Sequence, residues 1–86
     1  MNIKKWKSRV AELGCIICGG PAELHHPRFA AGMAQRAPDA LVIPLCPAHH
    51  RLGGIGTALH AGQVTFEQNH GTEAELLAKT ILRAAG

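Results

Sequence analysis

Residues 15–18, CIIC, and 46–49, CPAH, each hold two metal-ligating side chains separated by two residues. That spacing lets neighbouring side chains share one tetrahedral ion, and Cys15, Cys18, Cys46 and His49 together form a closed Cys3His set suited to structural Zn2+. Three cysteines are an odd number for disulfides, and in the cytosol, where this chain is expected to reside, metal ligation explains thiols better than cross-linking does. A redox Cys-x-x-Cys and ordinary buried thiols are the competing readings. Neither gives His49 a reason to stand three residues after Cys46.

Four of the six histidines stand in two adjacent pairs, His25-His26 and His49-His50. With His49 on zinc, His50 points about 100° away around a helix and cannot easily serve the same ion. His25 and His26 are neighbours on an expected strand, where successive side chains face opposite sides. The two members of each pair should therefore have different tasks, provided the fold brings His25 and His50 together.

Positioning these residues falls to a short chain with a thin core. Its 86 residues allow one domain, and aromatics make up 3% of them (Trp6, Phe29 and Phe66). A chain of this size commonly needs a metal or another staple to hold its fold. Ile3, Trp6, Val10 and Leu13 recur at the intervals of an amphipathic helix ending at Gly14. CIICGGP reads as a tight knuckle that aims two sulfurs at one point. PAELHH and ALVIPLC are extended segments, and PRFAAGMAQRAPD between them is long for a hairpin turn and is therefore expected to be a functional loop. PAHHRL should start a short helix with Pro47 in its first turn, which the glycines of GGIGTALHAG end. Thr65 with Gln68 and Thr72 with Glu75 match the capping-box pattern, predicting helices over about 66–70 and 73–84, broken by Gly71. No apolar run is long enough to cross a membrane, and the N-terminus lacks the pattern of a signal peptide.

At this point the residues resemble a known family. Cys-x-x-Cys, a His-His pair on a strand, then a hydrophobic strand ending Leu-Cys-x-x-His-His is similar to the zinc-stapled HNH nucleases, over about residues 13–52. The continuation RLGGIGTALHAGQVTFEQNHGTEAELL resembles the phage Ref-type recombination-enhancement nucleases. The resemblance implies an α+β fold: a small ββα-metal (His-Me finger) domain with flanking N- and C-terminal helices, the core at about 13–52 and a helical part at about 53–86.

It also implies roles. His26 would be the general base that takes a proton from the attacking water, a task suited to an imidazole that titrates near neutrality. His25 and His50 would hold one catalytic divalent cation, Mg2+, Mn2+ or Zn2+, against the scissile phosphate, giving a 5′-phosphate and a 3′-hydroxyl. The middle asparagine of the pattern would fall at Leu41, so Asp39 or a backbone carbonyl is left to orient His26. One helical turn after His50, where some HNH enzymes add a ligand, stands Gly54; His60, part of the Ref-like pattern, either reaches the metal or phosphate or satisfies a loop carbonyl. His70 is expected to close the end of its helix, where a cationic imidazole favours the dipole.

Lys4, Lys5, Lys7, Arg9, Arg28, Arg36 and Arg51 concentrate the positive charge of a +3 chain in its first 51 residues. Arg28, Arg36 and Arg51 flank the expected site, and Lys4, Lys5 and Lys7 would extend a track along DNA phosphates, with binding that is salt-sensitive and largely independent of sequence. Ref-type nucleases act on DNA in RecA filaments, so the resemblance implies RecA as a further partner. The alternative class is a zinc-stapled nucleic-acid-binding or adaptor module without chemistry.

Overall fold

The computed structural model describes residues 2–31 and 39–86. The first helix, α1 (Ile3–Glu12), starts at an Asn2 cap whose Oδ1 accepts the Lys5 backbone N–H at 2.8 Å. It buries Val10 completely and Trp6 and Leu13 in part, while Ile3, at the end of the same stripe, remains 45% exposed. Gly14 then takes a left-handed φ of 78°, and a Cβ there would meet the Gly19 carbonyl oxygen at 2.7 Å. Glycine is thus required where the helix hands over to the cysteine knuckle.

Two three-residue strands, β1 (Glu23–His25) and β2 (Ile43–Leu45), pair antiparallel with Glu23 opposite Leu45 and His25 opposite Ile43. They are shorter than the extended segments expected from PAELHH and ALVIPLC. On one face of this sheet Ile43 and Leu45 join a core with Cys15, Ile16, Cys46, Leu59, Phe66, Leu76 and Leu77. Val42 and Leu24 turn the other way, toward Val10, Trp6 and Ala84. Pro44 has no N–H to give, yet its carbonyl accepts from Ile16 N at 2.9 Å, which fastens the knuckle to the free edge of β2.

After β2 the chain enters a π-helical turn, Ala48–Leu52, closed by Gly53 N–H on Ala48 O at 2.9 Å. A short 3-10 turn, Leu59–Ala61, follows, then α2 (Gln63–His70) and α3 (Glu73–Ala85). The Thr72–Glu75 capping box is present at the start of α3. The Thr65–Gln68 pair is not a cap: α2 begins at Gln63, with Gly62 preceding it, so Thr65 lies inside the helix. Gln63, at that start, donates within the helix to Glu67 and across to Glu73 of α3.

Arg36 and most of the long loop after β1 lie outside the described residues. Among those described, no helix is long and apolar enough to cross a membrane. The result is a small mixed α/β domain whose two-stranded sheet is flanked by helices from both ends of the chain.

Candidate functional site

Two clusters of metal-ligating side chains form around β2, each with its ligand atoms within 4.8 Å of one another. The first comprises Cys15, Cys18, Cys46 and His49. The left-handed Gly19 and the Gly19 N–H bond to Cys15 O at 2.8 Å fold the knuckle back on itself. The π-helical turn brings His49 Nδ1 to 3.2 Å from Cys46 Sγ and 3.7 Å from Cys15 Sγ, and Cys18 Sγ lies 3.7 Å from Cys46 Sγ. A disulfide would bring sulfurs to about 2 Å, whereas thiolates on one tetrahedral zinc stand about 3.8 Å apart. The observed spacing fits an ion and not a cross-link.

Electrostatics agree. Burial alone would raise the Cys15 thiol, but backbone N–H groups of Cys46, Cys18 and Ile17 bring it below its ordinary value. At Cys18 the Gly20 N–H lowers the thiol, and the neighbouring Cys46 and Cys15 sulfurs outweigh it and push the net value up. A cation shared among the sulfurs would favour the thiolate form that ligates it. Burial, with His70 nearby, pushes His49 down, toward the neutral ligand form.

The second cluster comprises His25, His50 and His60. β1 turns His25 inward to 4% exposure, and His26, the next residue, outward to 42% side-chain exposure. The two rings face opposite ways as anticipated, although the strand ends at His25 and His26 lies just beyond it. His50 Nε2 lies 3.2 Å from His25 Nδ1 and 3.0 Å from His60 Nε2. Nitrogen ligands on one tetrahedral ion stand about 3.3 Å apart, so a single cation fits this group too.

What lies behind the rings strengthens the case. His25 Nε2 meets Glu73 Oε2 at 2.7 Å, and His50 Nδ1 meets Glu23 Oε1 at 2.9 Å. A carboxylate accepts, so each outer nitrogen carries the proton, and when the rings are neutral the lone pairs of His25 Nδ1 and His50 Nε2 stand 3.2 Å apart. A proton or a cation between them turns that contact from repulsive to attractive. Burial lowers His25 despite Glu73, and burial together with His50 and Arg28 lowers His60, so both favour the uncharged form that binds metal. Arg51 Nε donates to Glu23 Oε1 at 2.9 Å and Nη2 to Oε2 at 3.3 Å; these bonds and that from His50 hold the Glu23 carboxyl below its usual range.

His60 is the exposed member. Arg28 Nη2 lies 3.4 Å from its Nδ1, and a guanidinium only donates, so that contact places the His60 proton on Nε2, which donates it to His50 Nε2 at 3.0 Å. Ligation through Nε2 requires the other tautomer, with Arg28 turned away. Arg28 also donates from Nη1 to Gln63 Oε1 at 3.1 Å.

His26 stands outside both clusters, its Nε2 3.0 Å from Asp39 Oδ1, and Lys7 Nζ lies 4.0 Å from Asp39 Oδ2. Asp39, one of the two orienting groups the sequence left open for His26, lies within hydrogen-bond reach of its ring. His70 bonds through Nε2 to Gly56 O at 3.1 Å and stacks edge-on against His49 and tilted on Phe66, on the knuckle side of the molecule. Lys4 and Lys5 line a shallow concavity on α1 with Asn2, Ser8, Arg9 and Glu12. Glu23, Glu73 and Gln63 carry no local motif; only the Cβ alternation placing Glu23 and His25 on one face of β1 could have drawn attention to Glu23.

Residues 1–86 match the family described as Protein of unknown function (DUF968). Uncharacterized protein YdfU of Escherichia coli (strain K12) is 34% identical over 84 residues, a match covering 94% of this chain and 22% of YdfU, so the chain spans only a minor part of that relative's length. No solved structure matches the chain.

Proposed function

This chain belongs to the DUF968 family, and we propose that it acts as a metal-dependent endonuclease of the HNH type, hydrolysing DNA phosphodiester bonds. The observation that carries this reading is the convergence of His25 Nδ1, His50 Nε2 and His60 Nε2, backed by Glu73 and Glu23. A closed Cys3His set already suffices as a staple, and a purely structural protein has no need of the second group. The first cluster is the structural zinc site of the proposal; the second would hold the catalytic divalent cation.

In the proposed reaction Asp39 accepts from His26 Nε2–H, which leaves Nδ1 as the nitrogen that takes a proton from the attacking water. The water oxygen bonds to phosphorus, the bond to the 3′-oxygen breaks, and that oxygen leaves with a proton from solvent. The products are a 5′-phosphate and a 3′-hydroxyl. A divalent cation bound by His25, His50 and His60 would offset negative charge developing on the phosphate and the leaving oxygen. Arg28, freed from His60, neutralises a neighbouring phosphate, and Lys4, Lys5 and Lys7 extend the contact along α1. The Ref-like continuation supports delivery to RecA-coated DNA.

A second reading, a zinc-stapled nucleic-acid-binding or adaptor module, has one point in its favour: Leu41 stands where HNH enzymes carry asparagine. Nicking of supercoiled plasmid and of single-stranded circles with Mg2+, Mn2+ or Zn2+, with and without RecA and ATP, separates the two. Metal-dependent cutting that His26→Ala abolishes is the expected result. Zinc-loaded protein that binds DNA and cuts under none of these conditions would transfer the assignment to the binding module.

A further inference from the structure

We infer that Glu73 is the positioning residue that presents His25 to the cation, which makes the C-terminal helices a working part of the metal centre. The inference rests on the proposal that a divalent cation sits among His25, His50 and His60. Glu73 is the first residue of α3 and only 3% exposed, although it is a carboxylate. Such a group is tolerated inside a protein when its oxygens are satisfied. Here Oε2 accepts from His25 Nε2 at 2.7 Å and from the Arg28 backbone N–H at 3.0 Å, and Oε1 accepts from Gln63 Nε2 at 2.7 Å. Donors from β1, the segment after it and α2 therefore meet on one side chain.

Two consequences follow for His25. Its Nε2 must carry the proton, so its lone pair lies on Nδ1, the nitrogen facing His50. Its ring is also pinned, because rotation would break a buried bond with both partners 4% exposed. Glu73 thus fixes both the direction and the basicity of one ligand, as carboxylates behind metal-bound histidines do elsewhere. Glu23 cannot substitute, being engaged with His50 and Arg51.

The test uses the full chain with its knuckle zinc in place. Co2+ or Mn2+ is titrated into wild type and Glu73→Gln, zinc content is measured alongside, and long-range 15N–1H NMR reads the His25 tautomer. Wild-type His25 is expected as the Nε2–H form. In Glu73→Gln the affinity for the second ion should fall about 10- to 100-fold while one zinc per chain is retained, and the single tautomer should be lost. Glu73→Asp, which keeps the charge at shorter reach, should recover part of the affinity. Equal affinity in wild type and folded Glu73→Gln would overturn the inference, and so would an Nδ1–H tautomer in wild type, a result that needs no variant to fold. A wild type that takes up no second ion refutes the cation proposal and this inference with it. Ion uptake weakened by Glu73→Gln without DNA cleavage upholds the inference and refutes only the nuclease reading.

Discussion

The Cys3His cluster and the three-histidine cluster are built around the same short sheet and solve opposite problems. In the first, the negative charge that attracts a cation resides in the ligands, and two of the four ligands come from one turn, as do the other two. In the second, the ligands are imidazoles with no charge of their own to offer, and the charge is supplied from behind by Glu73 and Glu23. The first set is complete at four ligands, as structural zinc sites are; the second has three among the described residues, and its His60 edge is exposed. Charge in the ligand suits a permanent ion, and charge behind the ligand suits a site that must leave coordination positions free.

The contrast breaks most visibly if the clusters fail to differ in what they hold together. Chelation, or Cys46→Ser, should abolish cooperative thermal unfolding, because a structural zinc can contribute about 10–16 kcal/mol of apparent binding energy in small domains and the core here is thin. His50→Ala should leave the unfolding transition and one bound zinc per chain intact while removing the second ion. Calorimetry with metal analysis on both proteins decides it. If both variants unfold, or neither does, the division between staple and working site is wrong.

Next in size is His26, which belongs to neither cluster. His26→Ala should reduce plasmid nicking by about 100- to 10,000-fold, the usual worth of a general base, with both ions still bound. Near wild-type cutting would return the base role to another group. Asp39→Asn should give a smaller loss, since an amide still accepts one bond from His26; single-turnover rates on one plasmid substrate compare the two. An Asp39→Asn loss as deep as that of His26→Ala would show that Asp39 does more than orient the ring.

How much of each cluster could be read from the sequence follows from how far apart its parts lie. Cys15 with Cys18 and Cys46 with His49 are local pairs, so spacing alone announced the knuckle. His25 and His50 were flagged because alternation on a strand and rotation on a helix send adjacent residues apart, but their meeting depends on the pairing of His25 with Ile43, seven positions before His50. Glu73, 48 residues from His25, was legible only as a member of an acidic first helical turn. The start of α2 is hidden for a related reason: Gly62 offers no capping side chain, and Gln63 meets Glu73, ten residues on. Arg51 flanks the histidines and carries charge, which points to phosphate contact; its partner Glu23, which supports His50, is set by the tertiary fold.

That engagement separates support from DNA contact. Glu23→Gln should weaken the second ion by about tenfold, the low end for a carboxylate behind a histidine, because this pair is less buried than that of Glu73. Knuckle zinc should be unaffected, and Co2+ titration with zinc analysis measures both. Equal weakening at the two sites would mean that Glu23 supports the sheet rather than His50.

The smallest expected effect lies one residue from Glu73. The Thr72 hydroxyl accepts the Glu75 N–H at 3.1 Å and Glu75 returns to the Thr72 N–H at 2.9 Å, so the box fixes the first turn of α3, where Glu73 must meet His25. Thr72→Ala should cost about 1 kcal/mol of stability, the ordinary worth of such a cap, and weaken the second ion slightly while leaving the knuckle untouched. The Thr72 backbone N–H and hydroxyl hold the Glu75 carboxyl below the ordinary glutamate value of 4.5. Its contribution is therefore full above about that pH and is lost as acid carries the folded protein through the lowered value, because the unfolded chain takes up the proton first. Thr72→Ala removes the hydroxyl but keeps the Thr72 backbone N–H, so it should lessen, without abolishing, the loss of stability as pH falls below about 4.5, measured by denaturant melts with other conditions fixed. A profile unchanged by the substitution would show that the Thr72 hydroxyl contributes nothing to the Glu75 carboxyl, and the first turn of α3 would then rest on the Thr72 backbone N–H and on the buried Glu73.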